Sequence, residues 1–305
     1  MARNERRLTL LAPTLTPAIE SEFAALKKRF DLEERGVTRL AEASKGAAMD
    51  AIEYVVEGDD AEWEALRHAA LAIGEAEPVD IVLQNAGERA YRLVCFDMDS
   101  TLIKAEVIDE LAKRHGVGDQ VAEVTERAMR GELDFKASFR ERMAKLEGLS
   151  ETVLESIASE LPLMEGVERL MKNLKRLGYR TAILSGGFTY FAQALQQRLG
   201  FDEIHANELV ISKGLVTGET ADPIVDAERK AVLLEQIATR EGFSLDQAVA
   251  VGDGANDLKM LAKAGMGVAY HAKPLVRAEA RQAVSTVGLD GLLYLLGHAE
   301  DELLR

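Results

Sequence analysis

The sequence predicts an α/β protein: a doubly wound parallel sheet with a helical cap insertion, preceded by a smaller α+β unit. Three observations point there. After residue 90, four short apolar runs (93–96, 181–184, 248–251 and 266–269) have the length and continuity of strands buried on both faces. Helix-spaced apolar residues precede two of them, with Leu170, Leu174 and Leu177 before the second run and Val232, Leu233, Ile237 and Ala238 before the third. Crossover helices of a parallel sheet have this pattern. The stretch before residue 88 instead alternates strand and helix patterns in the order β-α-β-β-α-β, the ferredoxin-like arrangement.

Residues 7–11 read as a strand, and Ile19, Phe23, Leu26 and Phe30 recur three and four apart, as one apolar helical face requires. Residues 37–40 read as a weak strand, 51–56 as a better one, 61–72 as a helix and 80–83 as a closing strand. The polar, turn-prone segment 85–89 marks a boundary, which divides the chain into units 1–88 and 89–305. Within the second unit, the charged and largely helical stretch 105–163 is far longer than a crossover needs, so it reads as a cap standing over the sheet edge.

With 305 residues, 47% of them hydrophobic, 29% charged and only 6 proline, the chain has enough apolar material for two cores and is not of low complexity. A net charge of −15 removes the broad positive field that nucleic acids and anionic membrane surfaces require, so neither is an expected partner. The single cysteine, Cys95, excludes an intramolecular disulfide framework and a cysteine-based zinc cluster. The apolar stretch near the start is interrupted by Pro13 and Pro17, and no run reaches the roughly 18 apolar residues of a membrane span, so a cytoplasmic location is expected.

The most informative segment is 93–102, Leu-Val-Cys-Phe-Asp97-Met-Asp99-Ser-Thr101-Leu. Two carboxylates at i and i+2 on extended backbone point the same way, and a strand's carboxyl end is where open α/β sheets bind ligands. Such a pair is costly without a cation or a shared proton. Mg²⁺ suits it, preferring hard oxygen ligands completed by water and phosphate. A bare Asp-x-Asp is more often a polar turn closing a strand. Three further segments accompany it in order: Ser185-Gly186-Gly187 after the second run, Lys230 at a helix start, and Gly252-Asp253-Gly-Ala-Asn256-Asp257 after the third run.

This ordered set resembles the phosphatase branch of the haloacid dehalogenase superfamily. Asp97 to Ile103 with Glu106, residues 108–112 and Ser185 to Phe188 are similar to its phosphoserine phosphatases over about two thirds of the chain. The resemblance implies that Asp97 is the nucleophile that becomes an aspartyl-phosphate and Asp99 the general acid and base. It implies Mg²⁺ held by Asp97, Asp253 and the Asp99 backbone carbonyl, with Thr101 and Asp257 in support and Asn256 nearby. Phosphate would be bound by Ser185, by Gly186 at the start of the helix through Leu199, and by Lys230, for which Lys213 and Lys259 are alternatives on sequence alone.

Glu106 matches the residue that receives a substrate ammonium, and Arg142 the one that grips a carboxylate, which implies phosphoserine as substrate and phosphohomoserine or another small phosphomonoester as the alternative. Arg140 competes with Arg142, because helix phase is not fixed within one residue. Met129 and Phe135 match apolar residues near the family's closed site, and cap packing explains them equally well. The first unit is similar to ACT-like regulatory domains, which implies a regulatory or dimerisation role and pairing of two copies through it. Residues 12–17 lack the glycine-bearing turn those domains carry after their first strand.

Overall fold

The computed structural model describes residues 3–305. Met1 and Ala2, the first residues of the unit read as 1–88, lie outside the described residues. The N-terminal elements are β1 (Arg3–Ala12), α1 (Pro17–Arg29), β2 (Glu33–Ala41), β3 (Asp50–Asp59), α2 (Trp63–Ala76) and β4 (Asp80–Asn85). They form an antiparallel sheet of order β2-β3-β1-β4, the ferredoxin-like arrangement. The turn into α1 has a local cause: the Thr16 side chain accepts the Ile19 N–H, and Pro17 occupies the first helical position. Side chains alternate across each strand, so Leu8 and Leu10 face Phe23, Leu26, Leu66 and Ala70 of the two helices. Leu11, Met49, Ala51 and Val82 face the other way and join the core of the second unit.

That unit runs β5 (Leu93–Phe96), α3 (Val107–His115), α4 (Gly118–Met129), α5 (Phe135–Ala144), α6 (Glu151–Glu160), α7 (Val167–Arg176), β6 (Arg180–Phe188), α8 (Thr189–Leu199), β7 (Glu203–Asn207), β8 (Leu209–Ser212), β9 (Leu215–Thr220) and α9 (Ala227–Glu241). It closes with β10 (Ala248–Gly252), α10 (Leu258–Lys263), β11 (Met266–Tyr270), α11 (Pro274–Glu279), β12 (Gln282–Val284) and α12 (Leu292–Leu295). Six strands make a parallel sheet of order β12-β11-β10-β5-β6-β7. From β5 the chain winds outward through β6 and β7, then returns to lay β10 on the other side. The carboxyl end of β5 therefore lies at the point where strand order reverses.

Helices α3 to α6 fill residues 107–160, within the stretch read as a cap. The β8–β9 hairpin, absent from the sequence reading, joins them: Ser150 bridges to Leu215, and the Gly148 N–H donates to the Val216 carbonyl. Its short, half-exposed strands carry no long apolar run to announce them. A second difference concerns Gly186. The sequence reading put it at a helix start, but β6 stays extended through Phe188, which pairs with Asn207, and α8 begins only at Thr189. The buried Asn207 side chain holds this extension, donating to the Gly186 carbonyl at 2.8 Å and accepting the Val225 N–H at 2.7 Å.

The two units share a tight junction. The Asp80 carboxylate, 8% exposed, accepts the backbone N–H groups of Ser285 and Thr286, both at 2.9 Å. Gln84 donates to the Leu295 carbonyl at 3.1 Å and Gln282 to the Leu83 carbonyl at 3.2 Å. No helix among the described residues is long and apolar enough to cross a membrane. Replacing Asp80 with alanine strands two N–H donors in a low-dielectric seam, so Asp80→Ala should destabilise the chain by about 2–3 kcal/mol. Urea unfolding monitored by circular dichroism checks this, and an unchanged midpoint would contradict it.

Candidate active site

Asp97 follows β5 directly; its N–H still donates to the Val251 carbonyl of β10 at 2.9 Å, so the backbone is held in sheet register up to that residue. Its Oδ1 accepts the Met98 N–H at 2.7 Å and lies 2.8 Å from the Lys230 Nζ. Lys230, fully buried on the first turns of α9, reaches the Asp257 Oδ1 at 2.7 Å as well. The Asp257 Oδ2 accepts the Gly254 N–H at 3.0 Å. Asp253 accepts the Thr101 hydroxyl at 3.1 Å. On the cap side, the Asp99 Oδ1 accepts the Val107 N–H at 3.0 Å, and the Ser100 hydroxyl donates to Glu106 at 2.8 Å.

A cavity of about 370 Å³ opens between sheet and cap, lined by Asp97, Asp99, Glu106, Arg142, Asp253 and Asn256, among others. Gly186 and Phe135 also line it. Ser185, Lys230, Thr101 and Asp257 are buried beneath it. The Ser185 Oγ accepts the Gly187 N–H at 2.9 Å, which leaves its proton for another acceptor. Of the competing residues, Arg140 pairs with Asp222 at 2.9 Å on the exposed side of the cap, whereas Arg142 points inward with a buried Nε that has no partner within the protein. Lys213 sits in the β8–β9 turn and Lys259 pairs with Glu228, so Lys230 is the lysine at the acidic cluster. Met129 is 78% exposed and outside the cavity.

One carboxylate oxygen from each of Asp97, Asp253 and Asp257 lies within 4.8 Å of the others. With all three carboxylates ionised and Lys230 charged the cluster would carry −3 + 1 = −2, and an all-oxygen donor set of that charge fits a hard divalent cation. Asp257, read from the sequence as a supporting residue, is thus one of the three carboxylates whose spacing suits a cation. The ionisation pattern follows from crowding. Burial, then the charge of Asp257, pushes Asp97 well above the usual carboxylate range, against the opposing pull of Lys230. Burial and Glu106 bring Asp99 up to about 7, and burial with Asp257 brings Asp253 up to about 6. Burial alone would lower Lys230, but the two adjoining carboxylates outweigh it and hold the ammonium charged. Arg142 is lowered by burial, with Asp109 and Glu106 opposing.

Two glycines of these segments set how closely the backbone approaches the carboxylates. A Cβ on Gly187 would lie 2.5 Å from the Asp99 Oδ2 and 2.8 Å from Met98, and one on Gly252 would lie 2.4 Å from the Asp257 Cγ. Both are spacing residues, because only glycine lets β6 and β10 come this close to the carboxylates. Asn207, which shapes the Gly186 segment, and Lys273, which lines the cavity from the loop after β11, were also missed. Neither belongs to a recurrent spacing.

In metal-free protein the folded-state value near 7 for Asp99 exceeds the ordinary unfolded value near 4, so the native state holds an extra proton between them. Its contribution to stability is present at low pH and lost as pH rises through 7. With EDTA present, Asp99→Asn should flatten the decline of stability between pH 5 and 6 by about 1.4 kcal/mol per pH unit. Urea titrations at both pH values measure this, and parallel wild-type and variant profiles would contradict it. Gly187→Ala, which crowds Asp99 while leaving the sheet intact, should reduce turnover at least about tenfold in a phosphate-release assay.

A model of the haloacid dehalogenase-like hydrolase family matches residues 91–265. Over 289 residues the chain is 45% identical to a phosphoserine phosphatase of Streptomyces coelicolor, an overlap of 94% of this chain and 70% of that protein. A solved structure of a HAD-family hydrolase from Salmonella enterica serovar Typhi superposes with a TM-score of 0.83 at 30% identity, covering 97% of this chain and all of the other. One of a probable phosphoserine phosphatase from Vibrio cholerae gives 0.75 at 36% identity, covering 95% and 86%. With the buried acidic cluster, its lysine and the strand-reversal point already in place, these matches establish that the chain belongs to the haloacid dehalogenase-like hydrolases.

Proposed function

We propose that this protein hydrolyses O-phospho-L-serine to L-serine and phosphate with Mg²⁺ as its cation. The observation that carries this reading is that one cavity presents three kinds of recognition group: the carboxylate cluster for a metal-bound phosphate, Glu106 for an ammonium and Arg142 for a carboxylate. The zwitterionic head and the phosphoryl tail of phosphoserine need those three.

In the first step an Asp97 oxygen attacks phosphorus, the bond from phosphorus to the seryl oxygen breaks, and Asp99 delivers its proton to that oxygen. In the second, Asp99 removes a proton from water as it attacks the same phosphorus, which releases phosphate and restores the Asp97 carboxylate. Burial and the nearby charge of Glu106 raise the Asp99 carboxyl, which favours its holding the proton that the leaving oxygen needs. The Met98 N–H and Lys230 fix the Asp97 carboxylate, and Lys230 also offsets charge as the anions approach. The bound cation supplies electrostatic stabilisation of the phosphoryl oxygens. Ser185 and Gly186 would contribute donors to phosphate, with Asn256 at the cavity wall. Phe135, Phe139 and Phe188 line the apolar side of the cavity and limit water entry.

We read residues 1–88 as an ACT-like regulatory or dimerisation unit and 89–305 as the phosphatase unit with its cap at about 105–163. Pairing through the first unit would use the β2 edge or its helices, since the other sheet face packs on the second unit and β4 contacts β12. A cytoplasmic location belongs to this reading, on the strength of a single, buried cysteine.

Phosphate release should be seen with phosphoserine, should exceed that with phosphohomoserine, and should stop in EDTA. Asp97→Asn should lower it at least about a thousandfold. Glu106→Gln and Arg142→Ala should each cut kcat/KM for phosphoserine by about 10- to 100-fold and change that for 2-phosphoethanol far less. Equal losses on both esters would contradict recognition of a zwitterion.

A further inference from the structure

A cavity of about 540 Å³ lies away from the acidic cluster, at the junction of the two units. Arg7 of β1, Arg89 and Arg92 of the connecting segment, Tyr179 of the turn before β6 and His298 after α12 are among the residues that line it. Arg92 leads into β5 and Tyr179 into β6, so the cavity sits at the amino ends of the parallel strands, opposite the edge that bears Asp97. Its volume lies in the range of small-molecule sites and exceeds that of the active-site cavity.

The cavity is rich in donors and poor in acceptors. Arg7 and Arg89 share a single buried carboxylate, Glu53; Arg7 also donates to the Asn85 and Gly87 carbonyls at 3.0 and 2.6 Å, and Arg89 to the Gln84 side chain at 3.0 Å. The Arg89 Nε is buried and has no acceptor. The Arg92 guanidinium forms no ion pair or hydrogen bond with any described residue, and Tyr179 and His298 are hydrogen-bonded to each other at 2.9 Å. Counting three arginines against Glu53 and Glu88 leaves 3 − 2 = +1 at this spot, in a chain whose net charge is −15. A buried, unpaired guanidinium N–H beside an unpaired arginine calls for an acceptor that the protein does not provide.

We propose that this cavity is a binding site for a small organic oxyanion bearing carboxylate or phosphate groups, separate from the active site. Planar guanidinium forks match both groups, and the aromatic wall of Tyr179 and His298 accommodates a short carbon skeleton. Bound there, such an anion bridges β1, the connecting segment and the phosphatase core, so it ties the two units together.

Isothermal titration of the full chain with succinate and, separately, with inorganic phosphate tests the site and tells carboxylate from phosphate chemistry. The wild-type chain should bind at least one of these anions at a site in addition to the active site, seen for phosphate as a second equivalent. Arg92→Glu, at an exposed residue without partners, should weaken that binding by on the order of tenfold or more and leave phosphoserine turnover unchanged. Arg89→Lys, which keeps the charge beside Glu53 but removes the Nε–H, should weaken it in the same direction. The proposal is overturned if succinate does not bind and phosphate binds once, or if binding is the same in the wild type and both variants.

Discussion

A fully buried ammonium between two buried carboxylates is the constraint around which the catalytic half is built. Lys230 comes from α9, Asp97 from the end of β5 and Asp257 from the loop after β10, so one ion network pins three elements. Taking such charges out of water costs several kcal/mol per ion, and only close geometry with further hydrogen bonds offsets it. The Met98 and Gly254 N–H groups supply those bonds. Without the lysine, two unscreened carboxylates would face each other in a dry interior. With it, the acidic cluster keeps a residual negative charge of the kind that suits a divalent cation.

The same crowding divides labour among chemically identical groups. Asp97, Asp99 and Asp253 are all aspartates, yet their surroundings separate them: one pressed against an ammonium, one beside Glu106 under the cap, one held by Thr101. Close backbone approach at Gly187 and Gly252 makes this density attainable. The N-terminal unit enters through a different kind of contact, a sheet face shared with the second core and sealed by Asp80 and Gln84. This burial packs the two sequence units against each other, and the cavity lined by Arg7, Arg89 and Arg92 lies at their junction.

Much of this was legible before folding. Continuous apolar runs of four or five residues announced β5, β6, β10 and β11, because strands covered on both faces have no polar side to show. The ferredoxin-like order was legible from alternation and helix spacing. The β8–β9 hairpin and β7 were not, being short and half-exposed, with their pairing supplied by the cap and by β6. The extended path of Gly186 to Phe188 was misread as a helix start because Ser-Gly-Gly suits either conformation, and the distant Asn207 decides between them.

By itself, the sequence determined the local chemistry: which carboxylates follow a strand, in what order the Ser-Gly-Gly, lysine and Gly-Asp segments come, and that the chain is acidic with one cysteine. These are properties of neighbouring residues, carried by local backbone geometry. Only the tertiary structure decided that Arg142 rather than Arg140 turns inward, that Lys230 rather than Lys213 or Lys259 reaches Asp97, and that Asp257 joins Asp97 and Asp253 in one acidic cluster. It also decided that Arg7 of β1 lines one cavity with Arg89 and Arg92 of the connecting segment. Those outcomes depend on helix phase and on distances across 130 to 160 positions of chain, which packing sets and no local pattern encodes.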